Sequence, residues 1–267
     1  MDLAAVQTMR VARTRADLAL APGEQFMAGA TWLYSEAQPG LTGLVDLSGL
    51  GWDRVTPEAD GSLTVGAMVT VADLARWGDG SGLAAAPLFR QCAESLLASF
   101  KVQSAATVGG NVARSYAAGA MIALGATLDA SASVWLADGD CADVPVSAIP
   151  AGNGVSTLAP GDAIRSLSFP AHALAALTAH RRIALAEHGR SGALLAGRRD
   201  QDGSCVLVIT AATLTPVVLR WPTVPTPDAV VAAALAAPGY YSDALGSADW
   251  RRSVAATLLA EVAEELA

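Results

Sequence analysis

The sequence predicts an α+β chain, and three observations carry that prediction. Residues 1–50 alternate short apolar runs with helix-compatible segments, the spacing of a small parallel α/β unit. Residues 51–170 combine strands and helices punctuated by turn dipeptides, which reads as a mixed-sheet unit. From about residue 172 the texture shifts to a three-stranded antiparallel sheet followed by helices.

In the first unit, residues 9–12 read as a strand and residues 14–20 as a short helix with Thr14 at its N-cap. Residues 26–28 form the next strand, which enters a small-residue turn and a helix start by Leu33. Residues 44–47 close the unit as a third strand. Residues 63–67 then read as a strand, Thr70 caps a helix through Arg76, and the glycine-rich residues 78–82 read as a flexible connection. Residues 87–100 repeat apolar positions with a helical period, and residues 117–128 are small and apolar, as in a helix packed close to a neighbour or ligand. Residues 133–136 and 141–144 flank Asp138-Gly139, a hairpin signal, and residues 163–169 form a strand halted by Pro170. The last three strands are residues 176–186, 192–196 and 205–213, with Asp202-Gly203 as a turn. After the proline-rich residues 221–227 come helices over 228–236 and 248–266.

Composition narrows the function classes. Of 267 residues, 52% are hydrophobic and only 16% charged, which favours a subunit whose surface is partly covered in a larger assembly. A net charge of −8 argues against nucleic acid, which needs a basic face. Cys92, Cys141 and Cys205 lie far apart, form no C-x-x-C pair and cannot by themselves hold an iron–sulfur cluster. His172, His180 and His188 lack any accompanying carboxylate or thiolate pattern, so they read as surface or capping residues and no metal site is expected. No signal-peptide core and no apolar run near the ~18 residues of a membrane span are present, so the expectation is a cytoplasmic protein.

Two loops carry the chemistry. In Thr107-Val108-Gly109-Gly110-Asn111, the paired glycines let the backbone come close to a guest and point N–H groups at an anion, with Thr107 and Asn111 as side-chain donors. Phe26-Met27-Ala28-Gly29-Ala30-Thr31-Trp32-Leu33 offers a second such turn, where amides at a helix start would face an anion. Two loops suit a ligand with two phosphates, a dinucleotide; an ordinary Gly-Gly turn is the alternative for Thr107 to Asn111. Neither loop is a G-x-G-x-x-G fingerprint or a P-loop.

These loops, in this order and about 80 residues apart, resemble the FAD-binding (medium) subunit of molybdenum hydroxylases of the xanthine dehydrogenase and carbon monoxide dehydrogenase type. Ala28-Gly29-Ala30-Thr31 matches an A-G-G-T-like first loop, and Thr107 to Asn111 a T-(V/I/L)-G-G-N second loop. Leu44-Val45-Asp46-Leu47-Ser48, Thr64 to Thr70 and Leu158-Ala159-Pro160-Gly161-Asp162 match further family stretches, and the similarity spans most of residues 9–221. The resemblance implies a PCMH-type FAD-binding domain over residues 1–170, with subdomains of about 1–50 and 51–170, and a C-terminal α/β domain over 171–267. It implies FAD as cofactor and an oxidoreductase role: electrons would come from a small iron–sulfur subunit fed by a large molybdopterin subunit, in a heterotrimer or its dimer, and pass to an acceptor.

By the same resemblance, Phe26 to Leu33 would wrap the pyrophosphate and ribityl chain, and Thr107 to Asn111 would close on the pyrophosphate from the other side. Ile164 matches a position lying against the cofactor. Arg181 matches a cation that reaches the flavin ring, with a surface arginine beside Arg182 as the alternative. The chain departs from the family where many relatives carry Ser-Pro-x-x-Asp: here Tyr116 to Ala120 loses the carboxylate that would approach the adenosine ribose. Two other readings stay open, a self-contained flavoprotein oxidase and a flavin-free scaffold of the same fold.

Overall fold

The computed structural model describes residues 3–267, and the α+β class holds throughout. The first sheet has strands β1 (Thr8–Val11), β2 (Glu24–Met27) and β3 (Gly43–Asp46), all parallel in the order β1-β3-β2. Between β1 and β2 lies a short 3-10 helix, Arg15–Leu18, with Thr14 at its N-cap. The helix expected after β2 does not form. Residues 31–35 make a turn instead, closed by Tyr34 N–H to Ala30 O.

The second sheet is antiparallel and begins with β4 (Val55–Pro57) and β5 (Leu63–Gly66). Five helices follow: α1 (Val71–Ser81), α2 (Ala86–Ser95), α3 (Phe100–Gln103), α4 (Val108–Ala113) and α5 (Ala120–Thr127). Thr70 caps α1 by accepting from Asp73 N–H, but the helix runs on to Ser81, through the stretch expected to be a flexible connection. Gly78 stays helical because it serves packing: a Cβ there would lie 2.8 Å from Phe89 Cβ on α2. Gly82, at φ 70°, ends the helix in the left-handed cap that glycine favours. The helix expected over 87–100 stops at Ser95 as α2 and resumes as the short α3.

The sheet is completed by β6 (Ser131–Trp135) and β7 (Cys141–Pro145), the expected hairpin, and later by β10. A small ribbon, β8 (Pro150–Gly152) with β9 (Val155–Ser156), precedes β10 (Ala163–Phe169), giving the order β4-β5-β10-β6-β7. After the single turn α6 (Ala171–Leu174) come β11 (Leu177–Ile183), β12 (Ala193–Arg199), β13 (Cys205–Thr210) and β14 (Val217–Trp221), each antiparallel to the next. This sheet therefore has four strands rather than three; the unexpected one, β14, lies between Pro216 and Pro222. Helices α7 (Pro227–Ala236) and α8 (Ala248–Leu266) close the chain.

β12 and β13 are buried along almost their whole length, because α8 covers one face of their sheet and α5 packs on the other. That double cover explains their unbroken apolar runs. α5 is apolar on every side and fully buried, as such a helix must be. At its C-terminal end Asp129 accepts from Arg198 of β12 (2.6 Å) and from Arg220 of β14 (3.0 Å). Burial alone would raise the Asp129 carboxyl; the two guanidinium groups outweigh it and hold it below the usual carboxylate range.

Candidate functional site

A cavity of about 480 Å³ opens between the turn after β2, the start of α4, the segment joining α2 to α3, and the start of β10. Residues Arg190 and Ser191, just ahead of β12, form its C-terminal wall. The volume lies in the range of ordinary small-molecule pockets. Of the residues singled out in the sequence, Phe26, Ala28, Gly29, Ala30, Thr31, Trp32, Leu33, Thr107, Gly109, Gly110, Asn111 and Ile164 line it. Met27, Val108 and Arg181 do not.

The first loop is built to present its backbone. Gly29 passes so close to the segment ahead of α4 that a Cβ would lie 1.7 Å from Ala105 O. Ala30 takes a left-handed conformation, φ 55°, unusual for a residue with a Cβ. From Gly29 to Leu33, no backbone N–H donates to an acceptor among the described residues. Strand alternation sends Phe26 towards the main core and Met27 into the small cluster around Leu33, Leu41 and Leu44, which takes Met27 off the cavity wall.

The second loop is different from its expectation. Thr107 is the N-cap of α4, its Oγ1 accepting from Gly110 N–H at 3.1 Å. Val108 N–H donates to Val69 O and Gly109 N–H to Ala67 O, each at 2.9 Å, and Asn111 N–H donates to Thr107 O. None of these amides is free for an anion, and neither glycine has a positive φ. Gly109 is required for close packing instead, since a Cβ would lie 2.5 Å from Ala67 Cβ. The Asn111 carboxamide is also engaged: Oδ1 accepts from Met121 N–H at the start of α5.

Arg181 is on the wrong face of β11 to meet the cavity. It bonds Glu261 (2.9 Å) and Glu265 (2.7 Å) on α8. Its neighbours by alternation, His180 and Arg182, face the other way and touch the cavity-lining Ser95 and Ser191, at 3.1 and 2.8 Å. Burial, with the charges of Arg181 and Arg182, pushes His180 down to about 4, so it stands neutral behind the lining residue Ser95.

Among the lining residues not expected from the sequence, Arg114, Tyr116 and Arg190 bear on the chemistry. The Arg114 guanidinium sits 3.7 Å from the ring centre of Trp32, and its Nε is buried with no hydrogen-bond partner. The signal was present, a cation three residues after Asn111, but only the fold joins it to Trp32.

Free amides, an orphaned guanidinium nitrogen and a cavity of this size fit a bound dinucleotide anion. Residues 5–172 match the family described as the FAD binding domain in molybdopterin dehydrogenase. The chain belongs to that family. It is an FAD-binding subunit of the oxidoreductase type, and FAD is its cofactor. No curated protein matches it in sequence. Among solved structures, it superposes on a chain of a Cu,Mo-CO dehydrogenase with a TM-score of 0.83 and 22% identity, covering 98% of each chain. A reconstituted CO dehydrogenase from Oligotropha carboxidovorans gives 0.83 and 21%, covering 98% of this chain and 97% of that one. Quinoline 2-oxidoreductase from Pseudomonas putida 86 gives 0.81 and 21%, covering 100% and 98%. At such identities the superpositions speak for the fold. No helix among the described residues is long and apolar enough to cross a membrane.

Proposed function

We propose that this chain is the electron-transfer subunit of a molybdopterin and iron–sulfur dehydrogenase. It takes electrons from a small iron–sulfur subunit, which a large molybdopterin subunit supplies, and hands them to an acceptor. The run of unbonded amides from Gly29 to Leu33 carries the reading, because it leaves a ready anion cradle on the cavity wall. We place the diphosphate there and the rest of FAD along Gly110, Asn111 and Ile164. We assign residues 1–170 to the FAD-binding domain and 171–267 to a domain that supplies the wall at Arg190 and Ser191. FAD, when bound, supplies reversible uptake of two electrons; the chain's part is to hold and shield it. The names of the similar structures, a Cu,Mo-CO dehydrogenase and a quinoline 2-oxidoreductase, support a partnered dehydrogenase.

A self-contained oxidase would need a base beside the substrate. Asp162 is the one carboxylate in the lining among the described residues, and its oxygens accept from Ala137 N–H (3.0 Å) and Ala159 N–H (2.8 Å). The test is spectroscopic. The isolated chain loaded with FAD is expected to bleach with dithionite and with no hydroxylase substrate, and to become substrate-reducible once both partner subunits are added. Turnover of an organic substrate with oxygen by the lone chain would overturn the assignment.

A further inference from the structure

One lining cation, Arg114, makes no ion pair among the described residues. Arg114 ends the short helix α4, and its guanidinium is stacked 3.7 Å from the centre of Trp32 and 5.0 Å from that of Tyr116. Trp32 Nε1 donates to Tyr116 Oη at 2.9 Å, and Arg114 Nη2 donates to the same oxygen at 3.4 Å. Between Arg114 and Tyr116, buried Ser115 adopts φ 53°, a sharp reversal that turns both side chains into one stack. Gly154 backs the stack: its N–H donates to Ser115 O, and a Cβ at its φ of 79° would sit 3.1 Å from the Tyr116 ring. The guanidinium is therefore held in place by aromatic neighbours.

It nevertheless lacks a counter-ion. Neither Arg114 nor the second lining cation, Arg190, has an ion pair among the described residues, and the Arg114 Nε is buried without an acceptor. The chain holds 25 acidic residues against 17 basic ones, so carboxylates are in surplus. Leaving a pre-positioned arginine unpaired at a cavity wall suits an anion that arrives from outside.

We infer that Arg114 supplies the positive charge that grips the diphosphate of the bound dinucleotide, the task the already bonded amides of α4 cannot perform. This rests on the FAD reading and adds a residue to it. A planar guanidinium can meet two phosphate oxygens at once, and its contact with the rings keeps water from one of its faces.

The test is FAD titration of the flavin-free chain by fluorescence, at about 0.05 and 0.5 M salt, where screening lengths differ several-fold. Arg114→Gln is expected to weaken FAD about ten- to a hundredfold, the size of one charge-assisted hydrogen bond, and to flatten the salt dependence. Arg114→Lys keeps the charge and is expected to keep most of the salt dependence while losing affinity. A purely structural arginine would move thermal stability without changing the salt slope. If Arg114→Gln binds FAD with the parent's affinity and salt slope, the role assigned to Arg114 falls and the flavin reading stands. If the parent itself takes up no FAD, both fall.

Discussion

The turn after β2 and the start of α4 both set glycine two positions from a threonine, yet they treat their amides in opposite ways. From Gly29 to Leu33 the N–H groups find no acceptor among the described residues, whereas Val108 to Asn111 spend theirs on Val69, Ala67 and Thr107. In the first case glycine lets one chain segment press on another, leaving the turn free to face a cavity. In the second it lets a helix start press against Ala67. The same residue type thus serves presentation in one loop and packing in the other. What separates them is the destination of each N–H.

The comparison can be broken at its tightest point. Gly29→Ala puts a Cβ 1.7 Å from Ala105 O, a backbone atom that cannot swing aside. A loss on the order of 3 kcal/mol in urea unfolding is expected, together with loss of flavin binding. A variant as stable as the parent would show that the two segments are not in such contact.

At α4 the cost should be smaller and its character different. A Cβ on Gly110 would lie 2.8 Å from Thr107 Oγ1 and 3.9 Å from Ala28 Cβ, between the two loops. Gly110→Val should cost about 1–2 kcal/mol through the disturbed cap and should empty the flavin site of a chain that still folds. Full flavin occupancy in this variant would remove α4 from the binding surface.

Strain sharpens the contrast in the favourable direction. Ala30 sits at φ 55°, a region that costs an alanine roughly 1–2 kcal/mol, partly offset by the entropy glycine would lose on folding. Ala30→Gly should therefore raise stability by about 0.5–1 kcal/mol without weakening FAD. A fall in stability would mean that the Ala30 methyl group contributes packing that outweighs its strain.

The smallest effect is expected at Arg181. Its pairs with Glu261 and Glu265 are half-exposed surface contacts, worth below about 1 kcal/mol. Arg181→Ala should shift the flavin reduction potential by far less than the ~30 mV that corresponds to a tenfold change. A shift of that size would place the guanidinium near the ring despite its ion pairs.

Much of the architecture was legible because local signals and burial agree. Asp138-Gly139 fixed the β6–β7 hairpin, and Pro170 ended β10. The misreadings arise where tertiary contacts overrule local preference. Two glycines argue against helix at 109–110, but N–H bonds to Ala67 and Val69 hold α4 in place. Flanking prolines hid β14, whose neighbour β13 supplies its ladder. Arg181 and Arg182 cannot be told apart by composition; a strand's two-residue period decides which one meets α8 and which one reaches Ser191. The stack of Trp32, Arg114 and Tyr116 joins residues 84 positions apart and has no linear signature.

The clasp at Asp129 has a temporal side. One carboxylate binds Arg198 and Arg220, and the second of these lies 91 residues downstream. At a synthesis rate of about 5–20 residues per second, Asp129 leaves the ribosome roughly 5–20 s before Arg220 does. During that interval α5, apolar on every side, has lost neither its need for cover nor gained the sheet that provides it. The nascent chain thus passes through a stage in which α2 and α4 are already available to α5 but the face that β12 and β13 later cover is not, and that face is where chaperone binding or premature association would act.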